Sequence, residues 1–158
     1  MNHNASRRSF LKQAAVLTAG AALLPRPVRA SSPNEIVRVA VIGCNGRGMN
    51  HINAWLQVPN TEIVYICDVD RRAVEKGVAA VAKKQSRQPK GEADLRRVFA
   101  DADVDAVSIA TPDHWHAPAT IMACAAGKHV YVEKPGSHNL RESEWIVAAA
   151  RKHKRVVQ

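Results

Sequence analysis

At 158 residues the chain has room for one ordinary core, and its 46% hydrophobic and 23% charged residues exclude a disordered polymer or a membrane protein. A formal net charge of +9 invites a nucleic-acid or anionic-surface partner, but five basic residues (Arg7, Arg8, Lys12, Arg26 and Arg29) lie in the first thirty, which hold no acid. The rest is dispersed except for Arg151, Lys152, Lys154 and Arg155, at the end of an expected helix where cations complement the dipole, and no RNA or DNA motif accompanies it.

Ser6-Arg7-Arg8-Ser9-Phe10-Leu11-Lys12 carries the arginine pair and flanking residues of a twin-arginine export signal. The apolar run Ala14–Leu24 is too short for a resident membrane helix, and Val28-Arg29-Ala30 offers small residues for cleavage. Residues 1–30 are therefore expected to be a signal peptide, read by the twin-arginine machinery and directing an already folded protein to the periplasm or beyond. Folding before export makes a disulfide framework unexpected for Cys44, Cys67 and Cys124, which are odd in number and sit in apolar contexts.

From residue 35 short apolar runs alternate with amphipathic ones. Ile36–Ile42 is a β-branched strand ending in glycine, and Met49–Val58 is a helix with Ile52, Trp55 and Leu56 on one face, stopped by Pro59-Asn60. Glu62–Cys67 is the second strand, and Asp70 caps a helix over Arg71–Lys84. The polar segment Gln85–Glu92 is expected as loop with room for a short edge strand, followed by a short helix over Asp94–Ala100 and an apolar strand over Val104–Ala110. A helix over Ala117–Ala126 ends at Gly127, His129–Val132 is a strand, and Asn139-x-x-Glu142 resembles a capping box opening the helix Leu140–His153. Val156-Val157 reads as the start of a further strand, so the sheet is expected to be incomplete at its C-terminal side.

Strands apolar on both faces, alternating with helices, specify an α/β, doubly wound parallel sheet of the Rossmann kind over residues 31–158. The first strand runs into Gly43-Cys44-Asn45-Gly46-Arg47-Gly48, the pattern in which glycines permit a tight turn, close backbone approach to a pyrophosphate, and helix-on-strand packing. Asn45 stands in the second glycine place, which Asn tolerates because it accepts positive φ, with Gly46 beside it. The helix N-terminus then offers N–H groups to phosphate. Asp68 ends the second strand, where a carboxylate would bond the adenosine ribose; a plain solvated strand-end acid is the simpler alternative. Such a carboxylate favours NAD, while Arg71 and Arg72 leave NADP open by offering charge to a 2′-phosphate. His114 and His116 have the spacing of two metal ligands, but no third ligand follows at a convincing distance, so no metal is expected.

The order Gly-x-Asn-Gly-x-Gly, Cys-Asp-Val-Asp, Ala-Thr-Pro-Asp-His-Trp-His-Ala and Glu-Lys-Pro closely resembles the glucose–fructose oxidoreductase/inositol dehydrogenase (Gfo/Idh/MocA) family over Val37–Gln158. The resemblance implies that Thr111, Pro112 and the segment through His116 line the nicotinamide and ribose, and that Glu133 adjoins the cofactor. It implies that Lys134 is catalytic, acting with groups from a second, substrate-binding domain not present in these residues. The implied activity is hydride transfer between NAD(P) and a secondary alcohol of a sugar or polyol. An NAD-dependent glycosidase, or dinucleotide binding without catalysis, stand as alternatives, and a homo-oligomer is left open. Without the second domain, this chain alone is expected to lack part of the active site.

Overall fold

The structure is a computed structural model and describes residues 36–158; the export signal read in residues 1–30 lies outside the described residues. Six stretches of chain meet side by side. β1 (Val37–Ile42), β2 (Thr61–Cys67), β3 (Lys90–Glu92), β4 (Ala106–Ile109) and β5 (His129–Val132) form one parallel sheet in the order β3-β2-β1-β4-β5. Val157 then pairs in parallel with Val130, and Gln158 both donates to Val130 and accepts from Val132. The expected further strand therefore begins on the outer edge of β5.

Between them run α1 (Arg47–Trp55), α2 (Arg71–Ala82), α3 (Leu95–Ala100), α4 (His116–Ala125) and α5 (Leu140–His153). Alternate residues of each strand face opposite layers. Ala40 and Ile42 enter one core with Phe99, Ile109, Ala123 and Ala149, which α3, α4 and α5 supply or cover. Val41 enters the other with Ile52, Ile66, Val74 and Val81, covered by α1 and α2. All three cysteines are free and buried in these layers.

Caps set most helix starts. The Asp70 side chain accepts from Arg72 N at 2.9 Å, Asp94 does the same for Arg96 N at 3.0 Å, and Asn139 accepts from Glu142 N at 3.0 Å. The return half of the box reaches one residue further than expected, with Glu142 accepting from His138 N at 2.8 Å. Elsewhere the boundaries move. α1 starts at Arg47, two residues early, because the glycine turn leads straight into helix, and it ends at Trp55 before a reversal through Asn60 at φ 55°. β3 is real but only three residues long, an edge strand against β2. A 3-10 turn over Asp113–Trp115 precedes α4 and moves its start to His116.

Gly77 of α2 packs directly on the sheet. A β-carbon there would lie 2.7 Å from Ile66 Cγ2 and 3.2 Å from Ile52 Cδ1. Gly77→Ala is expected to destabilise the fold, overpacking costing about 1–3 kcal/mol, although alanine favours helix by about 1 kcal/mol. In an Ile66→Ala background the same methyl enters vacated space and becomes stabilising. Urea denaturation of the four proteins in this cycle checks the reversal of sign; an equal effect in both backgrounds would refute the packing account.

Candidate functional site

Strand order reverses between β1 and β4, and there the carboxyl ends of the strands open a cleft. The turn after β1 is built on close backbone contact. Gly43 has φ +81°, and a β-carbon on it would lie 2.6 Å from Thr111 N and 2.7 Å from the Ala110 carbonyl carbon. At Gly48 a β-carbon would come within 1.8 Å of the Gly43 carbonyl oxygen. Gly46, with φ +45° and ψ −107°, supplies the other special backbone conformation. This corrects the expectation for Asn45. Positive φ falls on Gly46, and Asn45 serves the turn through its side chain, whose Oδ1 accepts from Gly46 N at 3.1 Å. Neither Asn45 nor Gly46 is buried; Gly48 is.

Asp68 fixes that turn from β2. Its carboxylate accepts from Cys44 N at 2.7 Å through one oxygen and from Asp70 N at 2.9 Å through the other. Each oxygen keeps a further lone pair for a ligand hydroxyl. Asp70 is the helix cap that its position suggested. The two arginines weighed against Asp68 are engaged elsewhere, Arg71 with Glu75 at 2.8 Å and Arg72 with Asp70 at 3.0 Å. The cavity beside Asp68, about 740 Å³, is bounded by Gly43, Val69, Leu95, Thr111, Pro112 and Trp115. Val69 is 91% exposed, an apolar side chain at the mouth of an apolar recess.

Thr111 also borders a second cavity of about 480 Å³, with Arg47, Asp113, His116, Glu133 and Lys134. Lys134 is exposed, and among the described residues its ammonium meets no acid. His116 is buried, Nδ1 lying 2.6 Å from the Pro135 carbonyl oxygen and Nε2 2.8 Å from that of Thr111. It thus ties the Lys134 turn to the Thr111 loop, and both its nitrogens are occupied by backbone. At the rim His138 holds the Asp113 carboxyl below its ordinary range, the ring Nδ1 standing 3.3 Å away.

Glu133 is the centre of a buried network. Its Oε1 accepts from Arg47 Nε at 2.5 Å and from His51 Nε2 at 2.9 Å, and its Oε2 from Lys134 N at 3.2 Å. On the other side of the ring, His51 Nδ1 is 3.0 Å from Ser108 Oγ. The His51 and Arg47 hydrogen bonds hold the Glu133 carboxyl down at about 2. Ser–His–Glu in line has the outline of a nucleophile triad, but Ser108 is fully buried and cannot meet a substrate. His51 and Ser108 were not among the candidates read from the sequence. The available signal was a serine inside the apolar run Val104–Ala110 and a histidine beside Ile52 on the buried face of α1.

This geometry fits a dinucleotide: a glycine turn with no room for a side chain at Gly43 or Gly48, a carboxylate at the end of β2, and cavities bordered by Gly43 and by Arg47. Comparison with known proteins agrees. The chain is 32% identical over 171 residues to a protein named "Glycosyl hydrolase family 109 protein" of Shewanella sp. (strain W3-18-1), covering 94% of this chain and 37% of the relative. It is 30% identical, with the same coverage, to the alpha-N-acetylgalactosaminidase of Shewanella oneidensis. The chain thus spans little more than a third of the length of these relatives. Among solved structures, the WlbA dehydrogenase of Bordetella pertussis, crystallised with NADH and UDP-GlcNAcA, superposes with a TM-score of 0.69 at 28% identity, over 78% of this chain and 36% of that one. Residues 37–158 match the family described as "Oxidoreductase family, NAD-binding Rossmann fold", and the chain belongs to that Gfo/Idh/MocA family as an NAD-binding domain.

Proposed function

We propose that the chain is the cofactor-binding part of an exported enzyme that removes hydride from a secondary alcohol carbon of a sugar or polyol. The observation that carries this reading is the place of Lys134: a lysine at the carboxyl end of β5 with no acid partner among the described residues, sharing a 480 Å³ cavity with Thr111 and Arg47. Bound NAD supplies the hydride acceptor. The diphosphate would lie on the N–H groups of the Gly43–Gly48 turn, and the adenosine ribose hydroxyls would bond Asp68. Thr111 and Pro112 would line the nicotinamide side, with His116 holding their loop against the Lys134 turn. Lys134 would donate from Nζ to the substrate hydroxyl oxygen, orienting it and assisting the proton step. With Arg71 and Arg72 turned to acids of their own helix, Asp68 favours NAD over NADP.

Gly43→Val is expected to abolish NADH binding by the chain, since its β-carbon enters the backbone at 110–111. Fluorescence titration checks this, and a variant that binds as well as the parent removes the turn from the site.

A second reading, an NAD-dependent glycosidase, is favoured by the names of the relatives at 29–32% identity. Both readings begin with the same oxidation, because a ketone on the sugar ring acidifies the neighbouring C–H and so permits elimination at an adjacent position. They differ in the fate of the reducing equivalent. With the protein that carries this domain, sugar-dependent accumulation of NADH is expected on the dehydrogenase reading. Release of an aryl α-N-acetylgalactosaminide's phenol without net NADH would establish the glycosidase instead.

Export is proposed from Arg7-Arg8 and the short apolar run that follows. Replacing both arginines by lysine is expected to keep the precursor in the cytoplasm and uncut, as cell fractionation would show. Undiminished export of that variant would refute the signal.

A further inference from the structure

Arg47 and Glu133 adjoin the cofactor by their sequence positions, but the structure gives them a relation that positions alone do not. Arg47 is the first residue of α1, directly before Gly48, and its guanidinium borders the cavity that holds Lys134. Its Nε is held by Glu133, while among the described residues its two terminal nitrogens have no hydrogen-bond partner. A guanidinium fixed through Nε presents those terminal N–H groups as a fork, the geometry that suits an oxyanion. Glu133 has no freedom to do otherwise, because His51 donates to the same oxygen from beneath, and Tyr131 packs its ring edge-on to His51 at 5.5 Å. His51 in turn is fixed by Ser108. An ionised carboxylate only accepts, so His51 must carry its proton on Nε2, leaving Nδ1 to accept from the Ser108 hydroxyl in the neutral ring.

We propose that His51 is a positioning residue: with Ser108 it fixes Glu133, which aims the Arg47 guanidinium at the dinucleotide's diphosphate from the nicotinamide side of the cleft. This rests on the reading that the diphosphate lies on the Gly43–Gly48 turn. The two charges on the cleft wall then divide the work. Lys134 is left free for the substrate, and Arg47 binds phosphate in a direction that its own flexible side chain does not choose. The same unit joins α1, β4 and β5, so the phosphate turn and the lysine turn are held at one spacing.

The test is titration of the full 158-residue chain with NADH and separately with AMP, which shares the adenosine end but lacks the diphosphate. Arg47→Ala is expected to weaken NADH roughly tenfold or more and leave AMP within about twofold. His51→Leu is expected to reproduce that pattern, because an unheld Glu133 no longer aims the guanidinium. The double variant should be no weaker than Arg47→Ala alone, since His51 has nothing left to position. His51→Gln, whose amide offers an N–H near the place of Nε2, should recover most of the NADH affinity. Should His51→Leu fail to fold, Glu133→Gln gives the same comparison with volume conserved and charge removed.

Any of four results overturns the proposal: NADH affinity unchanged in His51→Leu, NADH affinity unchanged in Arg47→Ala, a His51→Leu loss that is as large without Arg47 as with it, or AMP affinity falling in step with NADH. Failure of the underlying reading looks different. In that case the parent chain does not bind NADH at all, or Gly43→Val binds it as the parent does.

Discussion

A β-carbon at position 48 would lie 1.8 Å from the carbonyl oxygen of Gly43, and one at position 43 would lie 2.6–2.8 Å from the backbone of Ala110 and Thr111. Strand β1, helix α1 and the end of β4 therefore meet as bare backbone, and the rest of the cleft is arranged around that meeting. It fixes where α1 begins, so its N-terminal N–H groups face the cleft; it places the Thr111 loop against the turn; and it leaves Asp68 near enough to accept from Cys44 N. Side chains cannot substitute for this contact, because any of them would separate the elements. The positive φ at Gly43 and Gly46 is the conformational counterpart of the same constraint.

Around this backbone junction the polar groups are few and almost all committed. Asp68 is bound to two peptide N–H groups, His116 to two carbonyls, and Glu133 to a histidine, an arginine and a peptide. The hydrogen bonds from His51 and Arg47 outweigh the desolvation of Glu133, so its carboxyl stays ionised. The hydrogen bond from His51 and the peptide of Lys134 complete the satisfaction of its oxygens, and the outcome is geometric: groups that would contact ligand are held by groups that do not. Among the described residues, Lys134 and the outer nitrogens of Arg47 are the cationic donors left uncommitted at the cavity wall. That division sets rigid supports beneath and, above them, one lysine and the outer edge of an arginine whose Nε is held by Glu133.

Period and punctuation made the strands and helices legible in the sequence, and they served best where a cap was local. Asp70, Asp94 and Asn139 each bond a backbone N–H within a few residues, so their part follows from the sequence around them. Boundaries moved where tertiary contact decided, as at the glycine turn that pulled α1 forward to Arg47 and at the 3-10 turn ahead of α4. Asn45 shows the limit of a propensity argument: asparagine tolerates positive φ, but with glycine next to it the glycine takes that conformation at lower cost. His51 and Ser108 were hidden for another reason. Ser108 and Glu133 lie 57 and 82 residues from His51 in the chain, and only the placing of α1 beside β4 and the end of β5 brings the three together.

The comparisons set dehydrogenases beside proteins named as glycosyl hydrolases, and on the proposed function a single cofactor site would have to serve either. What the chain fixes tightly is the glycine turn, the Asp68 carboxylate at the end of β2 and the loop at Thr111. The group it leaves loose, Lys134, would act on a hydroxyl proton, a step common to simple oxidation of an alcohol and to oxidation that prepares an elimination. Discrimination between the two must then come from groups that face the sugar's other carbons, and the strand ends described here contribute only one wall of that cavity. A shared cofactor half with a variable opposite wall requires the half to be rigid, since hydride transfer tolerates little error in the placing of donor and acceptor carbons. The hydrogen-bonded chain from buried Ser108 through His51 and Glu133 to the exposed Arg47 supplies rigidity of that kind, tying the glycine turn to the lysine turn.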